Sequence, residues 1–118
     1  MRYMLLIYLD EQALGEMERQ ECYVESALLA QEIHSRGQYL AAAPLHPTST
    51  ATSIRVRDGK RLVTDGPFAE TREQLGGYFL IEARNLDEAM DIAARIPVAR
   101  KGTVEVRPVI EVAGLPGK

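Results

Sequence analysis

The chain has 118 residues, 46% of them hydrophobic, which is enough to bury one core without metals or crosslinks. Its net charge of -3 leaves no broad basic surface for a phosphate backbone, so we exclude nucleic acid as a direct partner. The single cysteine, Cys22, cannot form an internal disulfide, and its neighbours do not favour a reactive thiolate. The apolar N-terminal run is too short for a signal peptide or a membrane span, so we expect a cytoplasmic protein without membrane contact.

The first part of the chain predicts a strand followed by a long helix. Residues 2–9 are apolar on both alternating faces, as in a strand that is covered on both sides. Residues 14–36 are rich in good helix formers, and Gly37 stands where a helix C-cap belongs. The predicted core face of this helix holds Met17, Tyr23, Val24, Ala27, Leu28 and Ala30, with His34 at its edge. The predicted acidic face holds Glu18, Glu21, Glu25 and Glu32.

The rest of the chain predicts a strand, a hairpin, a strand, a helix and a strand. Residues 38–43 form the second strand, and residues 50–57 and 61–64 pair around Asp58-Gly59 as a hairpin arm. Gly76-Gly77 opens a strand up to residue 83 and indicates a bulge or a close backbone approach. Asn85 caps a second helix that Pro97 ends, and residues 103–110 form the last strand.

This order predicts an α+β fold of the ferredoxin-like βαββαβ type with an inserted β-hairpin and an antiparallel sheet. We expect one domain over residues 1–112 and a disordered tail over residues 113–118. Both helices of such a domain pack on one sheet face, yet the strands here are apolar on the other face as well. A second copy is the simplest cover and predicts a homodimer in the form of a dimeric α+β barrel. The alternative is that the hairpin arm folds back over its own sheet.

Several separated motifs resemble one known family. They are residues 1–8, the segment Val-Thr-Asp-Gly-Pro-Phe at 63–68 with its continuation to residue 78, residues 93–97 and residues 102–108. In this order they are similar to the YCII-related family in its DGPF branch, over residues 1 to 110. The resemblance implies a ferredoxin-like bacterial protein, usually paired into an α+β barrel, with an activity suggested from a His and an Asp. It also implies a link to sigma factors of RNA polymerase for some members.

Asp65 matches the Asp of the DGPF motif, whereas the helix position expected for the family His holds Tyr23. Asp65 is therefore our candidate catalytic residue, as a general base or a ligand-binding carboxylate in a turn at the mouth of a cleft. Its structural alternative is an Asx-type turn that caps backbone N–H groups before Pro67. Phe68 is interpreted as a plug for the core rather than an aromatic recognition platform.

Tyr8, Tyr78 and Arg107 are our candidate ligand-binding residues, because an arginine with phenol groups can hold a small anion. The alternative is that Arg107 pairs with Glu82 or Glu105. His34 and His46 lack metal-ligand spacing, so we expect no metal, and no motif indicates a cofactor or a nucleotide.

Three functions follow from these features. The first is a small-molecule binding protein or a cofactor-free enzyme with its site between the sheet, the hairpin and the DGPF turn. The second is a regulatory or interaction module that works with a sigma factor, to which the acidic helix face could contribute. The third is a purely structural dimer.

Overall fold

A computed structural model describes residues 1–117 of the chain. The elements in chain order are β1 (Arg2–Leu9), α1 (Glu16–Ser35), β2 (Tyr39–Pro44), β3 (Thr52–Arg57), β4 (Lys60–Asp65), β5 (Gln74–Glu82), α2 (Leu86–Ala94) and β6 (Thr103–Pro108). Short 3-10 helices at Thr48–Thr50 and Pro97–Arg100 were not predicted. Every predicted helix and strand is present, with boundaries shifted by a few residues at most.

Four strands form an antiparallel sheet in the order β2-β5-β1-β6, and β3 pairs with β4 as a separate hairpin. This is the ferredoxin-like order with the hairpin inserted between β2 and β5, so the predicted α+β fold is confirmed. The hairpin turn carries Asp58 and Gly59 at φ 52° and 73°, the left-handed backbone of a type I′ turn. The β1–β5 register slips beside Gly76, which confirms the predicted bulge at the start of β5.

The core lies between the two helices and one face of the sheet. Its fully buried large side chains are Leu5, Ile33, Ile81 and Ile96. Tyr3 and Ile7 flank Leu5 on β1, and Phe79 precedes Ile81 on β5, so alternate residues of the two central strands point at the helices. At roughly 25 cal/mol per Å² of buried apolar surface, these side chains are the main source of stability.

Helix α1 packs with a different face from the one we predicted. Its buried residues are Leu29 and Ile33, whereas Met17, Val24 and Leu28 are 80%, 62% and 59% exposed. Ala30 of the predicted core face packs against the core. The rest of that prediction was wrong because apolar side chains occur on all sides of this helix, so its periodicity does not single out one face. The face of α1 that packs against the sheet is the one that carries Leu29 and Ile33, near the C-terminal end of the helix.

The paired strands β3 and β4 form an arm that projects from the rest of the chain. The radius of gyration is 16.0 Å, whereas a compact domain of this length has about 13.5 Å. Ile54, Val56 and Val63 on the arm keep 59–60% of their surface exposed. The alternative in which the arm folds back over its own sheet is therefore wrong.

The chain after β6 has no helix or strand over residues 109–117, and Ile110 is 83% exposed. The predicted tail over residues 113–118 includes Lys118, which lies outside the described residues.

Candidate functional site

The sheet face opposite the helices, called the open face below, is not covered by any other layer of residues 1–117. The smallest extent of the molecule is 21 Å, which fits one helix layer on one sheet about 10 Å away and nothing more. Strand pairing brings Met4 opposite both Leu80 and Arg107, and Leu6 opposite both Tyr78 and Glu105. The open face carries Arg2, Met4, Leu6, Tyr8, Ala41, Ala43, Tyr78, Leu80, Glu82, Glu105 and Arg107. It combines an apolar centre with charged and phenolic side chains.

The structure brings three of the four predicted site residues, Tyr8, Tyr78 and Arg107, onto this open face. The Arg107 guanidinium donates through Nε to Glu105 Oε2 at 2.9 Å, the pairing that the sequence offered as the alternative to an anion site. This hydrogen bond and the charge of Glu105 raise the pKa of Arg107. The nearby Tyr8 adds to the same increase. Because the Arg107 side chain is 66% exposed, its guanidinium still has donors that face solvent.

The fourth residue, Asp65, ends β4 at the base of the arm, opposite Thr52. Its side chain is exposed, and among residues 1–117 its carboxylate has no hydrogen-bond partner. The turn after it is held instead by the Gly66 N–H, which donates to the Ala51 carbonyl at 2.7 Å, and by the Ser53 hydroxyl, which donates to the Gly66 carbonyl at 2.8 Å. The Asx-turn alternative for Asp65 is therefore wrong.

Phe68 is not a core plug, because 76% of its surface is exposed. The Arg55 guanidinium lies over the Phe68 ring, 5.0 Å from its centroid, which is the geometry of a cation–π contact. The side chain stays outside because the turn runs beside the arm rather than over the sheet. The Asp-Gly-Pro-Phe turn thus presents an aromatic ring and a carboxylate to solvent.

A cavity of about 560 Å³ opens beside this turn, where the β1–α1 connection meets the 3-10 helix Thr48–Thr50. Glu11 links two segments of the cavity wall, because its carboxylate accepts hydrogen bonds from the Thr48 N–H and hydroxyl at 2.8 Å each. Arg19 also lines it and donates to Glu16 at 3.2 Å. None of the four predicted site residues lines this cavity. Glu11, Arg19 and Thr48 belong to no local sequence motif and are brought together only by tertiary contacts, so they were not predicted.

The histidines and the cysteine lie apart from these features. His34 is exposed and contacts Tyr39 edge to face, with ring centroids 6.0 Å apart. Within residues 1–117 no three His, Cys, Asp or Glu side chains are arranged to hold a metal ion. Burial and the nearby Glu25 carboxylate raise the pKa of the Cys22 thiol, which disfavours its reactive thiolate form. None of the helices described here has the length and apolar character that a membrane crossing requires.

The chain matches the YCII-related domain over residues 1–113. The chain belongs to the YCII-related family. A similar protein is an uncharacterized protein of Rhizobium meliloti (strain 1021), which is 36% identical over 114 residues and is aligned over 92% of each chain. The sequence motifs therefore identified the family correctly.

In this YCII-related chain the acidic residues of α1 form a seam with the basic segment that follows α2. The Glu25 carboxylate accepts two hydrogen bonds from Arg100, at 3.1 and 3.0 Å, and Glu18 and Glu32 accept from Lys101 and Arg95. These hydrogen bonds lower the pKa of Glu18, Glu25 and Glu32 below the ordinary value of 4.5. Much of the predicted acidic face is thus neutralised within the chain.

We expect the seam to make the fold sensitive to acid. A carboxylate whose pKa is lower in the folded state stabilises the fold above its unfolded pKa, and this contribution is lost as the pH falls through the folded pKa. Between about pH 5 and pH 3 the thermal midpoint should fall, and Glu32→Gln should make this fall shallower. Glu21→Gln is the matched control, since Glu21 has no ion pair among residues 1–117. Equal slopes for Glu32→Gln and wild type in thermal scans would contradict the assignment.

Proposed function

We propose that this YCII-related protein is a homodimer of the bacterial cytoplasm that binds a small anionic molecule between its open face and the Asp65 turn. The observation that carries the proposal is the open face itself, on which Tyr8, Tyr78 and Arg107 surround apolar side chains. Ligand sites are typically apolar with a few polar groups that fix orientation. An enzymatic role would use the same site.

The dimer follows from the apolar character of the open face. Met4, Leu6 and Leu80 are only partly buried in the single chain. Burial of apolar surface is favourable by roughly 25 cal/mol per Å², and soluble monomers rarely expose large contiguous apolar patches. A second copy placed face to face would remove this surface from water and form a dimeric α+β barrel, with a cleft left at the ends of the sheets.

Each polar residue has a distinct role in this proposal. The Arg107 guanidinium would donate to a carboxylate or phosphate of the ligand, in place of part of its contact with Glu105. The Tyr8 and Tyr78 phenols would donate the neutral hydrogen bonds that orient it. Asp65, which has no hydrogen-bond partner among residues 1–117, would accept a ligand hydroxyl or, in a reaction, a proton.

A thermal-shift screen of small organic acids and lactone-like compounds tests binding. For a compound that stabilises the wild type, Asp65→Asn is expected to weaken binding by about 10- to 100-fold, since a hydrogen bond to a charged group contributes about 1.5–3 kcal/mol. The measurement is calorimetric titration of each variant.

Asp58→Asn is the matched control, because it makes the same substitution on the same arm. Asp58 lies at the tip in a left-handed backbone conformation, with φ 52°, that asparagine also tolerates. The Asp58→Asn variant should bind the compound with the affinity of the wild type. The proposal fails if no compound in a broad library shifts the midpoint, or if both variants bind like the wild type.

The alternative is a regulatory or interaction module linked to sigma-factor-dependent transcription. The observation in its favour is the apolar outer stripe of α1, where Met17, Val24 and Leu28 are 59–80% exposed beside Glu21. The carboxylates of the seam speak against a basic partner there, since they are already paired within the chain. Capture of a sigma factor by the wild type from a bacterial lysate, and its loss in Val24→Glu, would favour this alternative over a ligand-binding function.

A further inference from the structure

The basic side chains of the chain are divided between two environments. Every lysine and arginine of residues 1–54 and 73–117 forms an ion pair with a carboxylate of the chain. Within residues 1–117, the basic residues without such a pair are Arg55, Arg57, Lys60, Arg61 and Arg72. All but the last lie on the arm, where Asp58 is the only acid between residues 52 and 64. The arm is therefore a basic projection from a chain whose net charge is -3.

Strand β3 separates its side chains by type. Because successive side chains of a strand point to opposite faces, Ile54 and Val56 lie on one face of the arm. Arg55 and Arg57 lie on the other face. All of them are exposed, and Ile54 and Val56 keep 60% and 59% of their surface in contact with solvent. Strand β4, by contrast, mixes basic and apolar side chains on both of its faces.

The backbone of β3 has unpaired groups along its outer edge. The Gly66 N–H donates to the Ala51 carbonyl, so the hydrogen-bonded pairs of the arm fall at every second position from there to the turn. Ile54 and Val56 lie between those pairs, and their N–H and C=O groups point away from β4. Among residues 1–117 these groups meet no other strand, and the Val56 carbonyl accepts only from the Arg57 guanidinium, at 3.0 Å. A strand edge of this kind can pair with a further strand.

We propose that the outer edge of β3 binds an extended acidic segment of a partner protein, which joins the arm as a third, antiparallel strand. Acidic side chains at alternate positions of the segment would face the two arginines of β3. The apolar side chains between them would face Ile54 and Val56. In this mode of recognition the main-chain hydrogen bonds provide affinity and the alternating side chains provide specificity.

Charge and backbone chemistry together favour this partner over other polyanions. The two arginines of β3 are two residues apart, about 6.8 Å along the strand, which equals the spacing of alternate carboxylates in an extended peptide. A phosphate backbone or a lipid surface carries charge but offers no strand to pair with the edge of β3. A third strand would also stabilise the arm, because an isolated two-stranded hairpin is only marginally stable in water.

The edge of β3 is distinct from the ligand site proposed above. Asp65 ends the other strand of the arm, at its base, whereas Ile54 and Val56 lie nearer to the tip. Neither Asp65 nor any residue of the open face belongs to this edge. The inference therefore stands independently of the proposed ligand.

Charge reversal on β3 tests the inference with a short, labelled synthetic peptide in which valine and glutamate alternate. Fluorescence anisotropy at low ionic strength, where exposed charges are screened least, should show saturable binding to the wild type. The double variant Arg55→Glu/Arg57→Glu should bind about 10- to 30-fold more weakly, because two attractive cross-strand pairs become repulsive. A peptide in which valine and lysine alternate should instead bind the double variant more tightly than the wild type.

Two controls separate strand addition from general charge attraction. Arg72→Glu should bind the glutamate peptide like the wild type, since Arg72 lacks an ion pair among residues 1–117 but lies outside the arm. In antiparallel pairing, directly opposite residues exchange both hydrogen bonds, so the peptide valines opposite Ile54 and Val56 would use their N–H groups. N-methylation of these valines should abolish binding, and N-methylation of the glutamates should leave it unchanged.

Circular dichroism checks that the substituted proteins stay folded, and the N-methylated peptides test the wild type itself. A wild type that does not bind the alternating peptide would overturn the inference. Equal binding of a peptide with the same composition and all its glutamates in one block would overturn it as well. Tighter binding of an oligonucleotide or of anionic vesicles to the same two arginines would rule out the acidic protein segment. Dissociation of a wild-type dimer by the peptide would assign the edge to a second copy of the chain instead.

Discussion

Replacing Gly102 by alanine is expected to lower the free energy of unfolding by about 3 kcal/mol, the upper range for an overpacked site. A Cβ atom at this position would lie 2.2 Å from the Tyr8 carbonyl oxygen and 3.1 Å from the Leu9 Cα atom. Both neighbouring atoms are backbone of β1, a central strand of the sheet, so neither a rotamer change nor a flexible side chain can relieve the contact. The strand itself has to move, and Tyr8 moves with it.

Urea denaturation at one fixed protein concentration measures this effect. Gly117→Ala is the matched control, because its added Cβ meets no atom within 4 Å. Its denaturation midpoint should equal that of the wild type. A Gly102→Ala midpoint equal to the wild type as well would show that the end of β1 is free to shift away from Gly102.

Leu80→Glu is expected to weaken the proposed dimer by about 100-fold or more, since it puts two charges into an apolar interface related by a two-fold axis. Leu80 lies at the centre of the open face, opposite Met4 on one side and Ala41 on the other. Its side chain faces away from the core, so the protomer should retain its helical and strand content in circular dichroism.

Leu86→Glu is the control for this experiment. Leu86 is 49% exposed at the start of α2, in the helix layer on the other side of the sheet. The Leu86→Glu variant therefore makes the same change of side chain at a site outside the proposed interface. Light scattering should therefore find a monomeric Leu80→Glu variant and a dimeric Leu86→Glu variant. If Leu80→Glu remains dimeric, the copies do not meet through the open face.

Local signals in the sequence were sufficient for the elements and their order. Asp58-Gly59 specified the hairpin turn, because few other dipeptides accept two left-handed residues. Asn85 capped α2 as predicted, and its side chain accepts from the Glu88 N–H at 2.9 Å. These features depend on a few consecutive residues, which is why they could be predicted without tertiary information.

The orientation of α1 could not be predicted in the same way. Its apolar residues surround the helix, and the choice between the Val24 side and the Ile33 side depends on which one meets β1 and β5. The carboxylates of the seam were likewise predicted only as an acidic face of α1, without their partners. Arg95, Arg100 and Lys101 lie far away in sequence and become their partners only when the connection after α2 packs beside α1.

By itself the sequence determined the family, the ferredoxin-like order of elements and the alternation that puts Tyr8, Tyr78 and Arg107 on one face. These properties follow from local backbone preferences and from the two-residue period of a strand. Only the tertiary structure decided that Phe68 and the arm face solvent, and that Asp65 lacks a hydrogen-bond partner among residues 1–117. Exposure depends on what the rest of the chain covers, and that is a property of packing between distant segments rather than of local pattern.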